Sequence, residues 1–166
     1  GTSFSDLEVI YEERQNPLYY IKYGPLVLAT TRPETKFGDT AVAVHPDDKR
    51  YSKYVGKELE IETVLGKSKI KVIADKMVDP EFGTGVVKIT PAHDFNDFEV
   101  WQRHKNEMPE PKQVIDNQGK LTPIAGIYAG MKVKVARDQI EKDLEKEGLL
   151  AKQTENYKNN VATCYR

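Results

Sequence analysis

The chain has 166 residues, of which 39% are hydrophobic and 31% charged, and its formal net charge is −1 at pH 7. This length supports one compact domain that buries about two thirds of its unfolded surface. The near-zero net charge argues against a free-standing nucleic-acid binder, because general affinity for nucleic acids requires a clustered excess of Lys and Arg. The sequence has no apolar run long enough to span a bilayer, so we expect a cytoplasmic protein without a membrane partner.

The two ends of the sequence suggest a piece of a larger protein. Gly1-Thr2-Ser3 has the composition of an expression scar, which leaves residues 4–166 as a single domain. Cys164 is the only cysteine, so an internal disulfide is excluded. We expect its thiol to be inert, with half of a truncated zinc pair as the alternative.

The first third of the chain predicts strands and turns. Residues 18–23 and 26–31 are rich in Tyr, Ile, Val and Thr, and Gly24-Pro25 between them predicts a hairpin. Residues 40–45 predict another short strand. Pro46-Asp47-Asp48 then predicts a brief helix, because proline is tolerated at the first helical position.

The middle of the chain predicts a second hairpin and a further strand. Residues 59–65 and 68–74 flank Gly66-Lys67, which is typical of a tight turn between two strands. Residues 86–90 predict a strand that ends at Pro91, because proline cannot donate a hydrogen bond to a strand ladder.

Two long helices are predicted, and they decide the fold class. The first runs from Asp94 to about Glu107, with a buried stripe formed by Phe95, Phe98 and Trp101. Residues 133–135 predict a strand. The second helix covers residues 136–147, with Ile140 and Leu144 inward and Gly148 as the stop. Many short strands with two long helices predict a mainly β fold with flanking helices (α+β), built on a closed β-barrel core.

A cluster of hydroxyls and one guanidinium follows the second strand. Thr30, Thr31, Arg32 and Thr35 surround the turn at Pro33, and such a rim is suited to a polar ligand. Alternation places Thr30 and Arg32 on one face and Thr31 on the other. The alternative is that these threonines only serve β-propensity.

A second polar cluster lies where the strand at 86–90 leads into the first long helix. Alternation places Lys88 and Thr90 opposite the apolar residues of that strand. Asp94 and Asp97 lie at the helix N-terminus, where the helix dipole favours carboxylates. Opposite charges close together predict a site for a zwitterionic ligand; the alternative is that Asp94 and Asp97 only cap the helix.

The histidines are the residues that could indicate a metal site. His93-Asp94 lies near Asp97, and His45 and His104 are distant in sequence. The chain has no His-Glu-x-x-His or Cys-x-x-Cys spacing, so we expect no metal ligands in this chain.

Three stretches carry a resemblance to a known family: TTRPET at residues 30–35, GDTAVAVHPDD at 38–48 and GTGVVKITPAHDFND at 83–97. They resemble the editing domains of class I aminoacyl-tRNA synthetases, and KITPAHDFND is similar to the valyl branch in particular. The resemblance covers about residues 17–165. It implies the closed-barrel editing domain that the valyl, isoleucyl and leucyl enzymes share. Such a domain hydrolyses the ester of mischarged tRNA, which for the valyl branch is chiefly valine tRNA that carries threonine.

The resemblance also implies roles for residues at matching positions. Asp97 is expected to anchor the substrate ammonium, and Lys88 with Asp94 to recognise the threonine hydroxyl. Thr31 and Arg32 are expected to act at the scissile ester. The other residues expected to bind the terminal adenosine or shape the cleft are Thr30, Thr35, Phe82 and His93.

The implied partners are the aminoacylated 3′ end of tRNA, its threonine moiety and the catalytic domain of a parent synthetase. No cofactor is expected for this domain, whereas the parent would use ATP and Mg. The alternatives are an editing domain of the isoleucyl or leucyl enzyme, a non-catalytic tRNA-docking module, and a metal-dependent phosphohydrolase built on His93 and Asp94.

Overall fold

A computed structural model describes residues 17–154 of the chain, and within that range the side chains of residues 17–151. The proposed scar at residues 1–3 and the thiol of Cys164 lie outside the described residues. The described chain forms two β-sheets and two α-helices, which confirms the predicted α+β class. Its strands are β1 (Leu18–Tyr23), β2 (Leu26–Thr30), β3 (Ala41–Val44), β4 (Glu58–Thr63), β5 (Gly66–Ala74), β6 (Val86–Ile89) and β7 (Leu150–Thr154).

The first sheet has the order β2-β1-β7, and both of its pairings are antiparallel. The hairpin of β1 and β2 confirms the prediction made from Gly24-Pro25. Gly24 has φ of 61°, a conformation that favours glycine, and a Cβ there would be tight against the carbonyl oxygen of Glu60 at 3.1 Å. Strand β7 was not predicted, because its sequence shows little apolar alternation.

The second sheet has the order β4-β5-β3-β6, with β3 parallel to β5 and antiparallel to β6. The β4–β5 hairpin is confirmed, although residues 64–65 form its turn and Gly66 already pairs with Thr63. Val42 of β3 lies opposite Lys88 of β6. This register places Lys88 beside one of the most buried strands of the molecule.

The helices are α1 (Phe95–His104) and α2 (Val133–Lys146), and 3₁₀ segments cover Pro33–Gly38, Ser52–Tyr54 and Pro123–Tyr128. Helix α2 buries Ala136, Ile140 and Leu144, a spacing of four that confirms the predicted inward face. Gly148, with φ of 72°, follows its end as predicted.

Three local predictions were wrong. Pro46-Asp47-Asp48 forms a turn instead of a helix, because the carbonyl and the ring of His45 accept the N–H groups of Asp48 and Asp47. Residues 133–135 are the first turn of α2 instead of a strand, since the apolar spacing of that helix prevails over β-branching. Phe95 is 75% exposed, because α1 buries the face of Asp97 and Val100.

Strands β3 and β6 of the second sheet are buried on both faces. Val42 and Val44 of β3 belong to a core formed with the first sheet and α2, whereas Ala41 and Ala43 belong to a core formed with Val100 of α1. The alternation of β6 follows the same rule, with Val86 on one side and Val87 and Ile89 on the other. Lys88 therefore shares the side of Val86.

The two sheets contact each other where β2 lies beside β6 and β1 lies beside β4. The hydroxyl of Thr84, just before β6, donates to the carbonyl of Val27 in β2. The strand ladders of residues 17–154 form two sheets, and closure into one barrel stays a prediction. The contact between β2 and β6 brings the end of β2 close to the start of α1.

Candidate functional site

A buried lysine lies at the centre of the polar residues that the fold brings together. Lys88 extends from β6 on the side opposite α1, and 8% of the residue is exposed. Its Nζ donates to Thr35 Oγ1 at 2.5 Å, to Thr90 Oγ1 at 2.7 Å and to Asp39 Oδ1 at 3.3 Å. An ammonium has three N–H donors, so each of them meets a protein acceptor.

Asp39 is the carboxylate that compensates this lysine. Its Oδ1 also accepts from the hydroxyl of Thr90 at 2.9 Å, and its Oδ2 accepts from the hydroxyl of Tyr23. Burial lowers the pKa of the Lys88 amine, and the charge of Asp39 opposes that shift. Burial, followed by the charge of Asp39, raises the pKa of Tyr23 well above its usual value, so the phenol keeps its proton.

Asp97 lies on the other side of Thr90. Its Oδ2 accepts the backbone N–H of Thr90 at 2.9 Å, and only 2% of the residue is exposed. Asp94 is the N-cap of α1, because its Oδ1 accepts the N–H of Asp97 at 3.1 Å. Thr90 thus contacts Asp97 through its backbone N–H and Lys88 through its hydroxyl. It therefore links the carboxylate and the ammonium that the sequence predicted to lie close together.

The turn after β2 holds the threonines of the first cluster. Thr30 Oγ1 accepts the backbone N–H of Arg32 at 3.0 Å, and the hydroxyl of Thr35 donates to the carbonyl of Arg32 at 3.0 Å. Both side chains therefore support the turn. Thr31 is half-buried, and its hydroxyl has no hydrogen-bond partner among the described residues. It is the hydroxyl of this turn that remains available to a ligand.

A buried ion pair ties the same turn to α2. Glu34 is 0% exposed, and its two carboxylate oxygens accept from Nε and Nη2 of Arg137 at 2.8 Å each. Arg32 is held more loosely: its Nε lies 3.7 Å from Glu34 Oε2, and its Nη1 lies 3.5 Å from the carbonyl oxygen of His93. The Arg32 guanidinium thus lies between the turn and the start of α1 without a short contact to either.

His93 serves the backbone next to the site. Its Nε2 accepts the N–H of Val114 at 2.7 Å and that of Ile115 at 3.3 Å. An imidazole nitrogen that accepts carries no proton, so the ring is neutral with its hydrogen on Nδ1. Burial first, and then the charges of Arg32 and Lys88, lower the pKa of His93 to about 4.

Because His93 is neutral in the folded chain, the free energy of unfolding depends on pH. The folded pKa is about 4 against an ordinary value of 6.5, so the unfolded chain binds more protons between these values. The stability that the lowered pKa of His93 contributes is fully present above pH 6.5 and is lost as the pH falls from 6.5 through about 4. Urea denaturation at several pH values should show this loss, and His93→Gln, whose amide oxygen also accepts, should lose less. An NMR midpoint for His93 near 6.5 would contradict the assignment.

Phe82 lies beside the end of β2. The ring is half-buried and packs against Leu18 and Ala29, next to the turn that begins at Thr30. It can therefore offer part of its face to a ligand held by the turn.

The structure brings most of the predicted site residues into one region. Lys88 donates a hydrogen bond to Thr35 and is linked to Asp97 through Thr90. The Arg32 side chain extends toward the backbone carbonyl of His93. Sequence analysis placed Thr90 on the face of Lys88 but missed three residues of this region: Tyr23, Glu34 and Asp39. Glu34 and Asp39 lie inside stretches that carry the resemblance, so a signal for them was present.

The other histidines have local partners. His45 Nδ1 accepts the N–H of Asp47, and the ring of His104 lies 3.0 Å from carboxylate oxygens of both Asp75 and Glu107. Within residues 17–154, no group of three or more His, Cys, Asp or Glu side chains is placed to hold a metal ion. No helix of this described part combines the length and apolar composition needed to cross a bilayer.

Comparison with known proteins identifies the relatives. No protein-family model matches the chain. It is 48% identical over 171 residues to the valine–tRNA ligase of Thermotoga maritima, and that match covers 99% of the chain and 19% of the ligase. It is 50% identical to the valine–tRNA ligases of Symbiobacterium thermophilum and Carboxydothermus hydrogenoformans, with 99% of the chain covered and 18% and 19% of the ligases. Along its whole length the chain thus matches a segment of valine–tRNA ligase, as part of a valyl-tRNA synthetase would, and spans about a fifth of these relatives.

Proposed function

We propose that this chain is the editing domain of a valyl-tRNA synthetase and hydrolyses the ester of mischarged tRNA for valine, chiefly threonyl-tRNA. The observation that carries the proposal is the meeting of Lys88 and Asp97 at Thr90, in a region from which water is nearly excluded. The similarity to a segment of valine–tRNA ligase supports the assignment to a valyl-tRNA synthetase. A closed barrel of the editing-domain type is part of the proposal.

Such an activity answers a physical problem. Valine and threonine have nearly the same shape, and an apolar pocket rejects the added hydroxyl by only about a hundredfold, a figure established for valyl-tRNA synthetases themselves. A second site that requires the hydroxyl can remove the error. Its selectivity is high because a ligand without the hydroxyl leaves buried polar groups unpaired.

Asp97 supplies the site for the substrate ammonium. An ammonium about 4 Å from its carboxylate would gain on the order of 4 kcal/mol at an effective dielectric of about 20, before desolvation is subtracted. The low exposure of Asp97 keeps bulk water from screening that attraction. The N-terminus of α1 favours a negative charge at this position, and Asp94 caps the first turn of the helix.

Lys88 and Asp94 supply the selection for a hydroxyl. The contact of Lys88 with Asp39, at 3.3 Å, is the longest of its three. A threonine hydroxyl oxygen can replace Asp39 as acceptor there, while Thr35 and Thr90 hold the amine in place. Valine has no acceptor to offer, so a valyl group in the same place would leave one donor of the buried ammonium unpaired.

The turn after β2 provides the residues that bind the scissile ester. The available Thr31 hydroxyl and the loosely held Arg32 guanidinium lie where β2 ends, with the Phe82 ring beside them for the terminal adenosine. Among the described residues we find no activated nucleophile of the Ser-His or Cys-His kind, and we propose direct attack by a water oriented by this polar cluster. The leaving group is the ribose oxygen of tRNA.

Paired ligands test this function. A non-hydrolysable amide analogue of threonyl-adenosine and its valyl counterpart should be titrated by calorimetry into the chain. A hydrogen bond to a charged donor contributes about 1.5–3 kcal/mol, so the threonyl form should bind about 10-fold to 150-fold more tightly. In Lys88→Met the preference should disappear while valyl binding remains.

Equal binding of both analogues by the unaltered chain would refute the editing role. A tRNA-docking module would give that result, with an affinity that falls steeply as salt is added.

A further inference from the structure

A second lysine is buried next to the site without an acceptor for its protons. Lys36 lies in the 3₁₀ segment Pro33–Gly38, and 8% of the residue is exposed. Its Nζ lies over the rings of Tyr23 and Phe37, 5.4 and 5.9 Å from their centroids. Among the described residues, no oxygen accepts a hydrogen bond from this amine and no carboxylate forms an ion pair with it. A buried amine in this state requires an acceptor, which a ligand can provide.

The amine lines a cavity large enough for such a ligand. The cavity has a volume of about 570 Å³ and is open to solvent on one side. Lys36, Tyr23, Phe37 and Asp39 lie together in its wall, apart from the ester-binding turn. The remaining charged side chains of the wall are Glu58, Lys67, Lys69, Lys71, Glu107 and Lys112.

The charges around the cavity leave an excess of positive charge. Asp39 already accepts from Lys88, Thr90 and Tyr23. Glu58 lies opposite Lys71 in the ladder of β4 and β5, and the same ladder places Glu60 and Glu62, outside the wall, opposite Lys69 and Lys67. Glu107 contacts His104. None of the five lysines of the wall forms an ion pair among the described residues, and only Lys36 and Lys112 have no glutamate opposite them in the ladder. The charges of Asp39 and Glu147 act on the Lys36 amine from farther away.

The backbone brings these two lysines together. Gly38 follows Lys36 closely in the same 3₁₀ segment, and a Cβ at Gly38 would lie 2.8 Å from the carbonyl oxygen of Lys112. Only glycine allows the chain at Lys112 to pass so close. The two lysines therefore lie on neighbouring pieces of backbone, and both belong to the wall of the cavity.

We propose that this cavity binds a phosphate group, which the buried amine of Lys36 and the exposed amine of Lys112 recognise together. A phosphate monoester or inorganic phosphate carries about 1.5 to 2 negative charges at pH 7, which matches two lysines without carboxylate partners. Its several acceptor oxygens serve the three donors of Lys36. The group can come from free phosphate or from a phosphodiester of an RNA strand.

The protonation of Lys36 is compatible with this role. Burial lowers its pKa to about 8, so most of the amine is charged at pH 7. A bound dianion would favour the charged form further. The bound phosphate would thus supply the hydrogen-bond acceptors that water provides to an exposed amine.

Inorganic phosphate and a short RNA without terminal phosphates are the two probes. Each is titrated at constant ionic strength into the chain labelled at lysine side chains, with the ¹³Cε shifts followed by NMR. At least one probe should shift the Lys36 and Lys112 signals saturably, with a Kd in the millimolar range or tighter. Saturation by phosphate alone supports the site with free phosphate as ligand, and saturation only by RNA supports it with a phosphodiester.

Three variants make the test specific. Lys36→Met keeps the side-chain volume and should abolish the saturable shift at Lys112, and Lys112→Met, at an exposed position, should weaken binding about tenfold or more. Lys49→Met, on an exposed turn away from the cavity, should bind as the unaltered chain does. Shifts that fail to saturate with either probe, or that persist in both Lys36→Met and Lys112→Met, would overturn the proposal.

Discussion

Asp97→Asn in a full-length ligase that carries this segment is expected to slow deacylation of threonyl-tRNA by about 30-fold to more than a thousandfold. Removing one partner of a buried charge pair costs about 2–5 kcal/mol, and each 1.4 kcal/mol corresponds to a factor of ten. Asparagine keeps an oxygen for the N–H of Thr90, so the local fold should persist. The loss therefore reports the charge that binds the substrate ammonium.

The measurement is single-turnover hydrolysis of threonyl-tRNA, with thermal unfolding as a check on the fold. Asp47→Asn removes an exposed carboxylate outside the site and should hydrolyse at the original rate. An Asp97→Asn enzyme that deacylates as fast as the Asp47→Asn control would exclude the ammonium role.

Arg137→Met is expected to lower the free energy of unfolding by about 3–5 kcal/mol, because it leaves the Glu34 carboxylate buried without its main partner. Both oxygens of Glu34 accept from Arg137 at 2.8 Å, and the next cation, Arg32, is 3.7 Å away. A charge that is 0% exposed has no water to replace the lost guanidinium. The turn that carries Thr31 and Arg32 should lose its attachment to α2.

Urea denaturation measures this effect, and two further variants separate its causes. The double variant Glu34→Met with Arg137→Met removes both charges and should be less destabilised than Arg137→Met alone. Arg50→Met breaks the pair with Asp48, but the Arg50 side chain is 56% exposed, so the loss should be far smaller. A double variant that is as unstable as the single one would show that packing, not charge, is responsible.

The sequence was informative wherever a local pattern decides the structure. The hairpin at Gly24-Pro25, the cap at Asp94 and the inward face of α2 depend on neighbours within four residues. The strand predicted at 133–135 failed because β-branched residues there form the first turn of a helix whose burial is decided by Ala136, Ile140 and Leu144.

Contacts between distant residues lay beyond the reach of local patterns. Glu34 and Arg137 are 103 positions apart, and Lys88 and Asp39 are 49 apart. Nothing in a single sequence pairs such residues, since the pairing depends on how the sheets and α2 pack. Alternation did place Lys88 and Thr90 on one face, and the resemblance supplied the choice of Asp97.

The exposure of Phe95 shows why an apolar spacing of three residues did not predict the buried face of α1. Apolar residues three apart predicted a stripe, but successive steps of three turn progressively around a helix, so Phe95 and Trp101 face different directions. Phe98 and Trp101 stack on each other with centroids 5.7 Å apart. The face of α1 that enters the core carries Val100 and the buried carboxylate of Asp97.

The most direct measurement compares the initial rates at which a full-length ligase carrying this segment hydrolyses threonyl and valyl esters of the same tRNA. If Lys88 and Asp97 together select a hydroxylated amino acid, the threonyl ester should be hydrolysed at least about a hundredfold faster, since buried polar groups strongly reject a substrate that cannot pair with them. Equal rates, or a faster rate for the valyl ester, would contradict the account.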